Sequence, residues 1–194
     1  MPSKSLETWR TIRSESLDEI VAAHRKVGGS GRGRRFATQQ INHAYAMLLS
    51  SQFQGFCRNL HSECIDHLFG SVATLSVPLF EIIRRDFIQG RKLDKGNPNP
   101  GNIGSDFNRL GIKFWDDVCR HDVQNAARQK ELELLNEWRN AIAHQDFDPA
   151  KLGGIPSLRL SHVAQWRQVC DVLAAEFDEV LRNYIHSVAG ISPW

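Results

Sequence analysis

Two side chains five positions apart, Arg139 and His144, are of the types that hold an anion and move a proton. A guanidinium stays charged at any ordinary pH, and an imidazole exchanges its proton near pH ~6.5. They stand in ELELLNEWRNAIAHQDF, Glu131 to Phe147. At about 100° per residue, with Arg139 at zero, Leu132, Leu135, Trp138 and Ile142 spread over an arc from roughly +20° to −100°, which is a core face. Glu133, Glu137, Asn140 and His144 gather on the other side, between about 100° and 160°, with Asn140 and His144 one turn apart. Arg139 falls at the edge of the core arc, where it must snorkel outward or find an anion. The plainer reading is a seam arginine and a histidine favoured by the negative end of the helix dipole, with Glu133 and Glu137 on a solvated face.

Two other groups invite chemistry. Cys57, His61, Cys64 and His67 follow one another at spacings of four, three and three. One straight helix converges only about two of them on a zinc, which wants four ligands, so packing is the expectation and no metal site is assigned. GGSGRGRR, Gly28 to Arg35, lacks the Lys and Ser/Thr of a P-loop. The stretch Arg25 to Arg35 carries five basic residues and no acid. Arg32, Arg34 and Arg35 therefore read either as a flexible arm for a phosphate backbone or as a solvated interhelical loop. Arg84, Arg85, Arg91, Lys92 and Lys95 form a second basic cluster, interrupted by Asp86 and Asp94.

Helical periodicity dominates the chain, and the expected class is all-α. A first amphipathic helix runs from Leu6 to about Val27 and stops at glycine. A long second helix covers about Ala37 to Leu68, with Gly55 and Ser50-Ser51 as places where it could bend. Pro78 fits the first turn of a third helix, Leu79 to Gln89, and Arg91 to Gly104 reads as a loop by its Gly, Pro and Asn content. Ser105 is the expected N-cap of two short helices interrupted at Gly111, followed by a helix from Gln124 to about His144. Ser161 is the expected cap of a last helix to about Val188.

The 194 residues, 41% hydrophobic and 24% charged, fit one domain over 1–194, with 1–36 an N-terminal helix and basic Gly/Arg loop. Net charge is only +2, which excludes a generic polycation. Residues 1–100 hold 14 basic and 9 acidic side chains, whereas residues 101–194 hold 10 and 13. A polyanionic partner is thus expected to meet the N-terminal half and a few placed arginines. The scattered four cysteines and the polar N-terminus point to a cytoplasmic protein with reduced thiols. The most apolar window, Val72 to Ile83, is too short for a membrane span and contains Pro78.

RNAIAH, Arg139 to His144, matches the R-x(4 to 6)-H motif of the HEPN superfamily, with Asn140 as the polar residue that often follows the Arg. LDKGNPNPGNIGSDFNRLGIKFWDDV, Leu93 to Val118, and LRLSHVAQWRQV, Leu158 to Val169, also resemble HEPN proteins of the RiboL-PSP group, so the likeness extends from about Ile41 onward. The resemblance implies a metal-independent endoribonuclease without cofactor, commonly a toxin or antiviral effector, working as a homodimer with a shared cleft. RNA carries its own nucleophile, the 2′-OH, so the enzyme must move protons and stabilise a phosphorane. On this reading His144 exchanges the proton, Arg139 clamps the scissile phosphate, and Asn140 orients His144 or bonds a phosphate oxygen. The product is a 2′,3′-cyclic phosphate. A toxin further implies a neutralising antitoxin protein. The rival is a non-catalytic helical dimer module that binds RNA, a nucleotide or a partner protein.

Overall fold

The computed structural model describes residues 1–28, 35–70, 72 and 76–194, with the side chain of Arg35 outside that set. The fold is all-α, with no strand among the described residues. In chain order the helices are α1 (Lys4–Thr8), α2 (Ser14–Gly28), α3 (Arg35–Gly70), α4 (Val77–Ile88), α5 (Pro100–Asn108), α6 (Phe114–His121), α7 (Asn125–His144) and α8 (Leu160–Ala189). A π-helical turn, Trp9–Arg13, joins α1 to α2, and a 3₁₀ turn, Lys92–Asp94, precedes α5. No helix among the described residues is long and apolar enough to cross a membrane.

The long α3 is the axis of the bundle, packed against α1, α2, α7 and α8. Its Tyr45, Leu49, Phe53, Phe56 and Leu60 are fully enclosed. Rings interlock along it: Trp9 meets Phe53 edge-on at 5.5 Å, and Phe114 lies between Phe107 at 4.5 Å and Phe177 at 4.8 Å. Such pairs add about 0.5–1.5 kcal/mol each beyond the area they bury. The π turn carries both Trp9, which donates Nε1–H to Asp171 at 2.9 Å, and Arg13, which reaches Gln52 at 2.6 Å.

At Gly55, α3 continues as helix, and a Cβ there would lie 2.5 Å from the Arg13 guanidinium. Two local expectations are corrected. The segment read as loop up to Gly104 is already helical from Pro100, because Asn99, not Ser105, is the cap and accepts from the Asn102 N–H at 2.7 Å. Proline at the first helical position and Asn before it are the signals that decide this start. At α8 the cap is Arg159, with Ser161 inside the helix; the Arg159 N–H donates to His162 Nδ1 at 3.2 Å. The break at Gly111 holds: its φ is +91° and a Cβ would meet Tyr184 Oη at 2.9 Å.

Cys57, His61 and Cys64 pack into the core of α3, while His67 meets the Trp194 ring at 5.5 Å. His61 Nε2–H donates to the Asp106 carbonyl at 3.1 Å, and its Nδ1 is buried without a partner among the described residues. Burial, reinforced by the Arg91 and Arg109 cations and opposed by the Asp106 hydrogen bond and the Asp94 charge, pulls the His61 pKa down to about 4. The unfolded chain therefore takes up a proton near pH ~6.5 that the folded chain refuses until about pH 4. Stability is expected to fall through that window by about 3 kcal/mol on this account. The buried carboxyls Asp171 and Asp178, raised by desolvation, act in the opposite sense. Comparison of urea midpoints in the parent and in His61→Gln isolates the effect: the variant should lose most of the decline between pH 6.5 and 4.5, and equal declines would contradict it.

Candidate functional site

α7 places Arg139, Asn140 and His144, and its inner face is anchored by Leu132, Leu135, Trp138 and Ala141, all buried. Asn136 is buried among them. Its Oδ1 accepts from Ser50 Oγ on α3 at 3.1 Å, and its Nδ2 donates to the Pro98 carbonyl at 3.1 Å and the Leu132 carbonyl at 2.8 Å. This amide ties the helix both to the bundle axis and to the segment before α5.

That segment, KGNPNPGN from Lys95 to Asn102, is pinned on every side. Gln54 of α3 donates to the carbonyls of Leu93 and Gly96 at 2.6 and 2.8 Å. The buried Asp106 carboxylate accepts from the Lys92 and Leu93 N–H groups at 2.8 and 2.9 Å. Asn102 Nδ2 donates to the Asn97 carbonyl at 2.8 Å. So held, Asn97 extends its Nδ2 to Asn140 Oδ1 at 3.0 Å, and the same oxygen accepts from Arg139 Nη1 at 3.2 Å. Asn140 is thus the joint between the loop and the arginine, oriented from one side by Asn97. The hydrogen bonds accepted by its side chain among the described residues come from Asn97 and Arg139.

His144 is the last residue of α7 and is exposed. It lines a cleft of about 150 Å³ with Glu137, Asn140, Asp146, Asp148 and Lys151. Arg139 does not line it: five residues along a helix turn the side chain by about 140°, so in one chain the arginine and the histidine point to different quarters. The cleft holds three carboxylates against one lysine, and Lys151 stands 4.0 Å from Asp148. Glu133, one turn before Glu137, has its carboxyl pushed up by burial and by the Glu137 charge. The acidic excess of the C-terminal half therefore reaches the site itself.

Basic side chains expected nearby divide into two sets. Arg32, Arg34 and the side chain of Arg35 lie outside the described residues. Of the second cluster, Arg91 is buried and committed to Asp94 at 3.1 Å, Ser62 at 2.9 Å and the Arg58 carbonyl at 3.1 Å, and Arg84 pairs with Asp66 at 2.7 Å. Arg91 is thus a structural cation rather than a ligand for RNA.

Past His144 the chain reverses at Gln145, whose φ of 55° is left-handed, and the Asp146 N–H returns to the Ala141 carbonyl at 3.1 Å. The following loop lies over the first turns of α3, enclosing a second pocket of about 250 Å³ between His43, Trp138 and Phe147. In the sequence Trp138 belongs to the core arc of α7, and nothing local marks His43. The signal for His43 is long-range, since Phe147, which stacks on it at 5.6 Å, is 104 residues away.

Asn97→Ala tests the joint at Asn140. It is expected to lower any RNA-cleaving rate about tenfold through a loosened Arg139, with a stability loss of about 1 kcal/mol. Rate assays on folded protein beside urea melts check both halves, and an unchanged rate would detach Asn97 from the site. No family model matches the chain, no curated protein matches it, and no solved structure matches it.

Proposed function

We propose that the protein is a metal-independent endoribonuclease of HEPN type, acting as a homodimer and cleaving RNA through 2′-OH attack to a 2′,3′-cyclic phosphate. The observation that carries this reading is the joint at Asn140. A half-buried arginine with no carboxylate partner among the described residues is held by the Asn140 amide, itself fixed by Asn97 at 3.0 Å, and a solvent-facing histidine stands one turn beyond Asn140 on the same helix. A guanidinium kept clear of carboxylates keeps its fork free for a phosphate.

The turn of about 140° between Arg139 and His144 gives the dimer its mechanistic reason. In one chain the two side chains leave the helix in different directions, although Arg139 bends back to Asn140 at 3.2 Å; two copies of α7 facing each other would bring two Arg and two His to a common cleft. Arg32, Arg34 and Arg35 are the cations that this reading assigns to the RNA backbone, and a neutralising antitoxin protein is the partner the toxin form of this reading requires.

A second reading, a non-catalytic helical dimer module, is favoured by the three carboxylates around His144, which repel a phosphate backbone. Incubation of the purified protein with RNA in excess EDTA separates the two. Cleavage that persists and leaves cyclic phosphate ends supports the enzyme; intact RNA at every protein concentration supports the module.

A further inference from the structure

We propose that the pocket behind Gln145 is a nucleobase site, which seats one purine or pyrimidine of the RNA strand next to the His144 cleft; this rests on the ribonuclease reading. Five tryptophans occur in the chain, and four donate their indole N–H: Trp9 to Asp171, Trp115 to the Pro100 carbonyl, Trp166 to Glu131 and Trp194 to Asp178. Trp138 is only 2% exposed, and its Nε1 has no partner among the described residues. His43, 8% exposed and 6.4 Å from the Trp138 ring, has its Nε2 buried and equally unpartnered. Two orphaned nitrogens on adjoining rings are rare, since buried indoles and imidazoles find partners and leaving one without costs about 1–3 kcal/mol. Both residues line the same pocket.

The slot already accepts a flat ring. Phe147 stacks on His43 at 5.6 Å and 24°, and lies 6.2 Å from Trp138. A phenyl ring fills the stack but offers nothing to either nitrogen. A nucleobase has the same flat faces and carries edge acceptors for the Trp138 N–H. Burial lowers the His43 pKa, which favours the uncharged ring as the stacking face. Phe147 is 40% exposed and sits on the loop after α7, so it is the ring that a base displaces. The volume of about 250 Å³ lies below the ~300–1,000 Å³ of sites that enclose a drug-sized molecule, and suits one heterocycle. Leu152 is a wall of both this pocket and the His144 cleft, so a seated base leaves its own phosphate near the proposed chemistry.

The test is titration of the ¹⁵N-labelled full chain with AMP, GMP, CMP and UMP, with ribose 5-phosphate as the control, read on the indole N–H peaks. The peak absent from Trp138→Phe should move downfield with at least one nucleotide and stay still with ribose 5-phosphate. Trp138→Phe should bind that nucleotide about tenfold more weakly. Should that core variant not fold, Phe147→Ala, at an exposed ring, carries the test, and its affinity should rise about threefold or more because the competing ring is gone. A Trp138 peak unmoved by all four nucleotides, equal movement with ribose 5-phosphate, or weaker binding in Phe147→Ala overturns the proposal. RNA cleavage in EDTA without a Trp138 response removes the pocket alone. A Trp138 response in a protein that cuts no RNA removes the ribonuclease reading alone.

Discussion

On the proposed ribonuclease reading, Arg139→Ala and His144→Ala are each expected to lower RNA cleavage by about 10² to 10³, the usual cost of removing one well-aimed transition-state donor, while leaving the fold and the proposed dimer intact. The structure makes the two variants clean. His144 is exposed at the end of α7, and the side-chain hydrogen bond of Arg139 goes to its neighbour Asn140, so neither truncation opens the core. Arg139→Lys keeps the charge and loses the fork, and should recover only part of the rate. A mixing experiment adds a sharper result. If the turn of about 140° forces the arginine of one copy to work with the histidine of the other, equal amounts of the two inactive variants, allowed to exchange, recover on the order of a quarter of the parental sites. Groups acting within one chain would recover nothing. Folded variants as active on RNA as the parent would falsify the catalytic assignment.

The helices and the phase of α7 were legible because burial imposes a 3.6-residue period on the sequence: Leu132, Leu135 and Trp138 are buried where their spacing puts them. Arg139 at the edge of that arc was legible for the same reason, and it is half-buried. What stayed hidden lies in pairings far apart in sequence, which leave no period. Asn136 looks like any polar helix residue until Ser50 and Pro98 stand beside it. Arg91 counts as one more cation in a basic run until Asp94, Ser62 and a helix carbonyl surround it. The NPNP segment has the composition of a loop, and half of it is one, yet Asn99 and Pro100 are also a cap and a first helical residue. Composition reports that a helix does not run through a segment; it does not report what the side chains in it hold.

Asn136→Leu should cost about 3 kcal/mol in urea unfolding at pH 7, although leucine has the same branching at Cγ as asparagine and would sit among apolar neighbours. If the site merely filled space, an apolar side chain there would be neutral or better. The opposite is expected because Asn136 is 1% exposed and its partners stay behind when it goes. Ser50 Oγ loses its acceptor and the buried Pro98 carbonyl loses its donor, at about 1–3 kcal/mol each. The damage should also travel. Pro98 stands between Asn97, which orients Asn140, and Asn99, which caps α5, so freeing it loosens both ends of the clip that fixes Arg139. Asn136→Leu is therefore the variant in which stability and RNA-cleaving rate fall together, whereas Asn97→Ala reduces chiefly the rate and His144→Ala the rate alone. Unfolding curves and cleavage rates on the three proteins distinguish these patterns, and an Asn136→Leu protein as stable as the parent would mean that α7 is held by its apolar face without the amide.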